Sequence, residues 1–406
     1  MNCIKAKFPS RPWATVTTAL VAAVAAVACG GGGVGTEVTG AEQRSFSTGR
    51  ISGLGSIIVN GVRFDDSTAR IVDDDGEGRT RGDLKLGMVV NVKGGARVNG
   101  ATAGESTAIA SNIEFGSEVK GLVQSIDLAA GTLSVIGQSI KVDAGTVFEG
   151  FPSGLASVQP GHRVEIYAFF DSGSRTYQAT RIEREDALDA FKLHGDLASL
   201  NTNTKTFVIG GATIGYSRIP AAELPALSNG IRVRVKLEVA QENGLYVATK
   251  IRTIGPNIED LTEAEIEGVV TDFASLASFK VNGVAVNAGG MSVVFKDGIS
   301  SQVSNGVRVE VEGSMQNNVL VARKVELEQD GPDGDDASIE LYGTLDSVDA
   351  KSKSFALRGV VVTYDTGTLF ENGGPASLIV NAKVEVKGKL VNGGTLIIAT
   401  RVKFER

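Results

Sequence analysis

One loop in the first third of the chain carries carboxylates at the spacing of a calcium-binding turn. In the run Asp73-Asp74-Asp75-Gly76-Glu77-Gly78, acidic residues occupy positions 1, 3 and 5, and a glycine occupies position 6. A turn with this pattern directs carboxylate oxygens towards one point, as Ca²⁺ requires. The full motif also needs a bidentate glutamate at position 12, where this chain has Leu84. The sequence favours a solvated acidic loop, and a weak calcium site formed by Asp73, Asp75 and Glu77 is the alternative; no other cofactor is expected.

Residue types that commonly act in catalysis are sparse in this chain. It contains 2 His, 2 Cys and no G-x-S-x-G motif. Ser117 and Lys120 match S-x-x-K, but that motif needs a helix and here it leads into a predicted strand. His162 is predicted to pack at the end of a barrel. His194 is predicted to be exposed, because the equivalent positions of the other repeats carry unrelated residue types. We therefore expect no enzymatic activity.

Basic residues recur at fixed places and would suit an anionic partner. One predicted strand position carries Arg163, Arg232, Arg308 and Lys383, and another carries Arg181, Lys250, Lys324 and Arg401. Glutamates follow two residues after three members of the first set, at Glu165, Glu310 and Glu385. Cross-strand pairing of these charges predicts a solvated face of mixed charge. With 6% aromatic residues and a net charge of -7, the chain is not expected to bind nucleic acid.

The first 28 residues resemble a bacterial lipoprotein signal peptide. Lys5, Lys7 and Arg11 precede the uncharged run 13–28, which is shorter than the roughly 20 residues of a membrane-spanning helix. The run ends in Ala26-Val27-Ala28-Cys29, which resembles a lipobox. The resemblance implies cleavage before Cys29 and membrane attachment through a diacylglycerol on its thiol. The alternative is an ordinary secretory signal that is cut near residue 28.

Residues 29–46 are predicted to form a Gly-rich, flexible tether. By resemblance to other lipoproteins, the lack of Asp directly after Cys29 implies sorting to the outer membrane, facing the periplasm or the cell surface. The tether also matches G-x-G-x-x-G at Gly30, Gly32 and Gly35. This match does not predict a dinucleotide site, because it follows no strand and opens no helix.

Three short patterns recur five times in the same order along the rest of the chain. The first is a glycine at the start of a predicted strand, found at Gly49, Gly121, Gly195, Gly268 and Gly343. The second starts a run of alternating apolar and polar residues, at Gly87, Gly161, Gly230, Gly306 and Asn381. The third begins with an alanine, at Ala110, Ala179, Ala248, Ala322 and Ala399. Such a repeat indicates one structural unit copied along the chain.

Each unit is predicted to have three strands, a loop or single helical turn, and two further strands. Alternation in the second pattern is typical of a half-buried strand. The pairs Asn60-Gly61 and Asn282-Gly283 predict type I′ hairpin turns, whose two central residues need positive φ. Short additional strands are expected near Val147 and Leu369. Five strands in about 70 residues predict an all-β fold of OB-like barrels, with a small sandwich as the alternative.

We therefore predict five tandem, small, five-stranded barrels that are joined by short acidic linkers, like beads on a short string. At 42% hydrophobic residues, the chain has enough apolar side chains for these cores. The predicted units cover residues 47–115, 117–184, 190–254, 263–328 and 338–406.

The signal ending in Cys29 and four glycines, followed by these units, resembles a family of proteobacterial lipoproteins known only as a domain of unknown function. The resemblance covers residues 47–406 and implies no activity, because its motifs are structural. The first repeat departs most, through the insertion after its third strand, and the fifth has Asn381 in place of glycine.

The sequence therefore predicts a non-catalytic outer-membrane lipoprotein with a binding or spacer role in the cell envelope. Its expected contact with the membrane is the lipid on Cys29, and its protein or glycan partner is open. One alternative is an array of modules that bind an envelope glycan or an anionic lipid. Another is a hydrolase with a site between units, which no residue set supports. An array should repeat one groove in several units, whereas a spacer should have no groove.

Overall fold

The chain is all-β throughout the part that the structure describes. The computed structural model describes residues 44–100, 106–255, 258–328, 338–391 and 393–405. Within these ranges the helices are single 3-10 turns, and none is long and apolar enough to cross a membrane. The predicted signal peptide, Cys29 and most of the predicted tether lie outside the described residues.

The strands form five units that follow one another along the chain, named here barrels 1 to 5. Barrel 1 contains β1 (Ser45–Leu54), β2 (Ile57–Val59), β3 (Val62–Asp65), β4 (Arg70–Asp73), β5 (Gly78–Arg79), β6 (Val89–Gly94) and β7 (Ser106–Phe115). Barrel 2 contains β8 (Val119–Asp127), β9 (Thr132–Val135), β10 (Gln138–Lys141), β11 (Val147–Glu149), β12 (Arg163–Asp171) and β13 (Thr176–Glu185). Barrel 3 contains β14 (Phe191–Asp196), β15 (Ala198–Asn201), β16 (Thr206–Ile209), β17 (Ala212–Gly215), β18 (Arg232–Leu237) and β19 (Tyr246–Thr253).

Barrels 4 and 5 have the same sequence of elements. Barrel 4 contains β20 (Leu261–Ser275), β21 (Ser278–Val281), β22 (Val284–Asn287), β23 (Val294–Lys296), β24 (Arg308–Gln316) and β25 (Val319–Leu327). Barrel 5 contains β26 (Ser338–Asp349), β27 (Ser354–Leu357), β28 (Val360–Thr363), β29 (Leu369–Glu371), β30 (Lys383–Val391) and β31 (Leu396–Phe404). A single 3-10 turn precedes the last strand but one of each barrel, at Arg81–Asp83, Gly154–Ser157, Ala221–Glu223, Ser300–Gln302 and Pro375–Ser377.

Each unit closes into a barrel through one pairing scheme. In barrel 4, β20 pairs antiparallel with β21 and with β24, β21 pairs with β22, and β24 pairs with β25. The parallel pair β22–β25 completes the ring. This order, with a break after the third strand, is that of an OB-type barrel. The predicted all-β fold of tandem, small five-stranded OB-like barrels is therefore confirmed.

The predicted hairpin turns have the backbone that their sequences require. Asn60 and Gly61 have φ of 51° and 68°, and Asn282 and Gly283 have φ of 47° and 80°. Two successive positive φ angles define a type I′ turn, which matches the twist of the two strands it joins. Local sequence thus sets the register of the second and third strands of barrels 1 and 4.

The second repeated pattern starts with a left-handed residue in every barrel. Gly306 has φ of 86° and its N–H donates to the carbonyl oxygen of Val270 at 2.9 Å. Asn381 has φ of 68° and its N–H donates to the carbonyl oxygen of Leu345 at 3.0 Å. Asparagine tolerates this conformation better than most residues, so it replaces glycine here without changing the hydrogen bond.

The first repeated glycine lies inside the first strand of its barrel and not at the start, where the sequence pattern had placed it. Gly49 is in the middle of β1, and a Cβ added there would lie 2.0 Å from Oδ1 of Asn60. At Gly268 of β20 an added Cβ would lie 2.8 Å from Cβ of Asn282. The glycine recurs because the hairpin turn folds back over the first strand at this point.

The prediction of beads on a short string is wrong, because strands of different barrels pair directly. β1 of barrel 1 pairs in parallel with β20 of barrel 4 and with β26 of barrel 5. β8 of barrel 2 pairs antiparallel with β14 of barrel 3. Ser45 and Phe46, predicted in the tether, belong to β1 and contribute to these pairs. Edge strands of one barrel are therefore covered by strands of another.

The hydrophobic cores also extend across barrels. One cluster joins apolar residues of barrels 1 and 5 with Tyr167 of barrel 2, a second joins barrels 2 and 3, and a third joins barrel 4 with Phe46 of barrel 1. Fully buried rings mark the centres of the first two clusters, Phe64 and Phe355 in one and Tyr177 and Phe207 in the other. Barrels 1 and 5 therefore share most of one core, and barrels 2 and 3 share another.

Candidate functional site

A cleft of about 490 Å³ lies where barrels 1, 2 and 3 meet. Barrel 1 lines it with the acidic loop that starts at Asp73, and barrel 2 lines it with Lys120, Glu165 and Tyr167. Barrel 3 contributes basic side chains, which are Lys192, Arg234, Lys236, Lys250 and Arg252. The cleft exists only because the three barrels dock.

Four lysines form one row across neighbouring strands of barrels 2 and 3. Lys120 lies opposite Lys192 in the β8–β14 pair, and Lys192 lies opposite Lys236 in the β14–β18 pair. Lys236 lies opposite Lys250 in the β18–β19 pair. Like charges directly opposite each other destabilise a sheet, so this row needs anions close to it. We call the row and the adjoining Arg234 and Arg252 the basic sheet face.

The acidic loop of barrel 1 supplies one of these anions. Oδ1 of Asp74 accepts a hydrogen bond from Nζ of Lys192 at 2.9 Å. Oδ2 of Asp74 lies 2.9 Å from Nη1 of Arg234 and 3.1 Å from Nε2 of His194, which carries a charge only when protonated. The Asp74 side chain is only 9% exposed. A carboxylate of barrel 1 is thus bound by three side chains of barrel 3.

The electrostatics of Asp74 follow from these contacts. Burial alone would raise its pKa, because a charged carboxylate is poorly solvated there. The contacts with His194 and Lys192 outweigh burial and hold the pKa of Asp74 well below its usual range. Asp74 is therefore ionised at neutral pH and neutralises part of the basic sheet face.

The predicted calcium ligands have other partners in the structure. Oδ1 of Asp73 accepts the backbone N–H groups of Asp75 and Glu77, each at 2.9 Å. Oδ2 of Asp73 accepts from Nε of Arg79 at 2.9 Å. Among the described residues, no three Asp, Glu, His or Cys side chains are grouped to hold a metal ion. The structure therefore does not bring Asp73, Asp75 and Glu77 together as ligands, and calcium binding stays an untested prediction.

Other ion pairs hold the barrel 2 side of the cleft. Nζ of Lys120 lies 2.7 Å from Glu165 and 2.9 Å from Glu185. Burial opposes the charge of Lys120, but the two carboxylates outweigh it and raise its pKa. Lys85 of barrel 1 lies 2.8 Å from Glu183 of barrel 2, which joins the two barrels at the rim of the cleft.

Two cations of barrel 3 form no ion pair within the described residues, and a third has only a long one. Lys236 and Arg252 are exposed, and neither forms an ion pair with any residue in the described part of the chain. Lys250 is exposed too, and its nearest carboxylate is that of Asp75, at 3.8 Å. These three side chains are the part of the basic sheet face that remains open to a ligand.

The two histidines have different environments. His162 packs against the ring of Phe151, with ring centroids 5.6 Å apart, and its Nδ1 accepts the N–H of Gln159 at 3.0 Å. This agrees with the predicted packing at a barrel end. His194 was predicted to be exposed and is buried, at 6% exposure, between Asp74 and Glu118. The prediction was wrong because the neighbouring barrels cover this face.

The recurrent basic residues largely pair with glutamates, as their spacing predicts. Lys324 lies 3.0 Å from Glu310, and Arg401 pairs with Glu385. Sequence reasoning missed Lys192 and the binding role of Asp74. The available signal was the presence of Lys192 in the first strand of barrel 3 and of Lys236 in β18. These two lysines become informative only once the strand register shows that they lie opposite each other.

Among solved structures, the chain is similar to "drosophila Unr CSD456" at 12% identity, covering 72% of this chain and 98% of that chain, with a TM-score of 0.13. A TM-score this low supports no conclusion about fold or function. A search of the curated proteins found no match.

The family comparison matches the repeats directly. The family model described as a domain of unknown function, DUF5666, matches residues 120–183, 192–252, 267–326 and 342–403, which fall in barrels 2, 3, 4 and 5. Barrel 1 has the same pairing scheme, and its inserted loop sets it apart from the other four. These four matches cover more than half of the sequence, and the chain therefore belongs to the DUF5666 family.

Proposed function

We propose that this chain is a non-catalytic binding protein of the cell envelope and that the cleft between barrels 1, 2 and 3 is its binding site. The single observation that carries the proposal is the convergence of three barrels on one polar cleft. Polar residues in a concave site fix the orientation of a ligand and its specificity. Lys236 and Arg252 of barrel 3 also line the cleft and form no ion pair within the described residues.

The cleft lining supplies charged groups for binding and, within the described residues, no Ser, Thr or Cys nucleophile. In the described structure its polar side chains are carboxylates, ammonium and guanidinium groups and one tyrosine, with no Ser, Thr, Cys or His. Burial disfavours the charge of Lys85, but the carboxylate of Glu183 outweighs it and raises the pKa of Lys85. A lysine that stays protonated is a cation for binding and not a nucleophilic amine.

The location follows from the sequence. The uncharged run that ends at Cys29 supports lipid attachment there. By resemblance to other lipoproteins, the lack of Asp directly after Cys29 supports the outer membrane as the destination. The lipid would hold the protein at the membrane.

Binding at one cleft is favoured over the two other envelope roles. A spacer should extend, whereas β1 of barrel 1 returns to pair with β20 and β26. An array should repeat one groove, but a smaller cavity of about 50 Å³ between barrels 1 and 4 has a different lining. That cavity collects Arg97, Glu263 and Glu265 in place of a lysine row.

The test is thermal unfolding of the full chain against neutral, acidic and basic oligosaccharides and lipid vesicles. A bound compound should raise the melting temperature of the wild type, because it stabilises only the folded state. Lys236→Glu, in the cleft, should abolish that rise. Lys141→Glu makes the same charge change at an exposed position of β10 in barrel 2 and should keep that rise.

Two results would contradict the proposal. One is that no compound of any charge raises the melting temperature, or that both variants respond alike. The other is chemical conversion of a bound compound, detected by mass spectrometry after incubation, since this would make the protein an enzyme.

A further inference from the structure

We propose that the cleft binds an acidic oligosaccharide, meaning a short glycan that carries carboxylate or phosphate groups, and that Lys236, Lys250 and Arg252 bind its anionic groups. The inference rests on the proposed function, since it assigns a ligand class to the same cleft. The three side chains belong to β18 and β19 of barrel 3.

The register of these two strands places the cations next to one another. Lys236 lies opposite Lys250, and Arg234 lies opposite Arg252. Opposite residues of an antiparallel pair have Cβ atoms about 4.5–5.5 Å apart, so two such side chains reach one anionic group together. The carboxylate of Asp75 lies 3.8 Å from Nζ of Lys250, and Lys236 and Arg252 form no ion pair within the described residues. The positive charges of these three side chains are therefore available to a ligand.

The same sheet already binds one carboxylate, which shows the mode of recognition. Asp74 contacts Lys192 and Arg234 at 2.9 Å each, and both lie on strands β14 and β18. Lys236 and Arg252 are the next cations of the same rows, directly opposite Lys192 and Arg234. A ligand carboxylate or phosphate would thus continue a pattern of charge-assisted hydrogen bonds that Asp74 begins.

The rest of the lining favours a hydroxylated ligand over a bare anion. Asp83 and Asp189 line the cleft and form no ion pair within the described residues. Hydrogen bonding to Thr80 lowers the pKa of Asp83, so it is an ionised acceptor. Ionised carboxylates accept hydrogen bonds, and the hydroxyl groups of a sugar can donate them. The volume of about 490 Å³ also exceeds that of a single phosphate ion by a wide margin.

The aromatic residues of the cleft disfavour single-stranded nucleic acid. Sequence-tolerant binding of single strands uses exposed rings on which bases stack. Phe115, Tyr167 and Phe191 line the cleft, but they are only 8%, 3% and 3% exposed. Because other protein groups cover these rings, nucleic-acid bases could not stack on them. The cleft therefore presents charged groups but no stacking surface.

The experiment is calorimetric titration of the full chain with five probes. These are digalacturonate, mannose 6-phosphate, inorganic phosphate, the neutral disaccharide lactose and a short oligothymidylate. The cleft variant is Lys236→Gln/Arg252→Gln. The matched control is Lys141→Gln/Lys351→Gln, which removes two cations from exposed positions in barrels 2 and 5.

We expect digalacturonate or mannose 6-phosphate to bind at least about tenfold more tightly than lactose and inorganic phosphate. The cleft variant should weaken that binding by about tenfold or more, and the control should leave it unchanged. Added salt should weaken it, as for any ionic contact.

The inference is overturned if neither acidic sugar binds more tightly than lactose, or if inorganic phosphate or oligothymidylate binds as tightly as the sugars. Equal loss in the cleft and control variants would also overturn it. Its failure is distinguishable from failure of the proposed function. If a neutral or basic compound raises the melting temperature of wild type but not of Lys236→Glu, the cleft remains the binding site and only the ligand class is wrong.

Discussion

Oδ1 of Asp74 in barrel 1 accepts a hydrogen bond from Nζ of Lys192 in barrel 3 at 2.9 Å, although 118 residues separate them in the chain. Between these two barrels in sequence lies the whole of barrel 2. The contact therefore fixes the inserted loop of the first repeat on the sheet of the third. It closes one side of the cleft and neutralises part of a lysine row that would otherwise repel itself.

Asp74→Asn should destabilise the protein, because it leaves Lys192 and Arg234 without their shared carboxylate. Loss of one partner from a buried ion pair costs about 3–5 kcal/mol, and we expect about 3 kcal/mol because Arg234 keeps Asp75 within 3.6 Å. Urea unfolding measures the change. Asp186→Asn, at an exposed position between barrels 2 and 3, is the control. An equal effect of the two changes would mean that Asp74 does not hold the loop.

Glu310→Gln should stabilise the protein at neutral pH. Burial and the neighbouring carboxylate of Glu265 raise the pKa of Glu310 well above its usual value, while Lys324 opposes them. Because the pKa of Glu310 is raised in the folded state, its contribution to the free energy of unfolding is fully present below the pKa of about 4.3 that it has in the unfolded chain. That contribution is lost as the pH rises through the pKa of Glu310 in the folded protein. The uncharged glutamine avoids that loss, and Lys324 keeps Glu326 at 3.0 Å.

Thermal unfolding at two pH values tests whether Glu310→Gln stabilises the protein as expected. At pH 7 the melting temperature of Glu310→Gln should exceed that of the wild type, and at pH 4 the two should agree. Glu114→Gln, on the exposed side of β7, should change neither value. A Glu310→Gln protein that is less stable than the wild type at pH 7 would show that the ionised carboxylate is needed.

Gly61→Val and Gly283→Val should each destabilise the protein by about 2 kcal/mol, since a β-branched residue is strained at φ of 68° and 80°. Gly95→Val is the control, because a Cβ there meets open space and the backbone is not left-handed. Hydrogen exchange should show lost protection in barrels 1 and 5 for Gly61→Val, since they share one core, and in barrel 4 for Gly283→Val. Loss across all five barrels from either change would contradict the three separate clusters.

Cys29→Ser should abolish lipid attachment and leave an uncleaved precursor or release a soluble protein. The thiol is the proposed acceptor of the lipid, and a hydroxyl does not replace it. Metabolic labelling with a fatty acid, followed by membrane fractionation, measures the change. A mutant that is still processed and still sediments with the membrane would show that the anchor is elsewhere.

The elements that could be predicted from sequence are those fixed by neighbouring residues. Asn60-Gly61 determines its hairpin through two positive φ angles, and Asn381 replaces glycine where the backbone is left-handed. Both signals are local and recur at a fixed period, so five barrels of one type could be expected from the amino-acid sequence alone.

The docking of the barrels could not be predicted in the same way. Lys250 belongs to a predicted solvated face of mixed charge, and His194 occupies a position where the repeats differ. Only the placement of Asp74 over barrel 3 turns these positions into an interface. The contact between barrels 1 and 3 depends on residues that are more than 100 positions apart in the chain. Such a contact leaves no repeated pattern in a single amino-acid sequence.

A double-mutant cycle on Asp74 and Lys192 tests most directly whether barrels 1, 2 and 3 dock to form the cleft. Unfolding free energies are measured for the wild type, Asp74→Asn, Lys192→Gln and the double variant. If the barrels dock as described, the two changes should be coupled by about 1 kcal/mol or more, as for residues in one ion-pair network. If the effects add within about 0.3–0.5 kcal/mol, the two side chains do not meet and the cleft does not exist in solution.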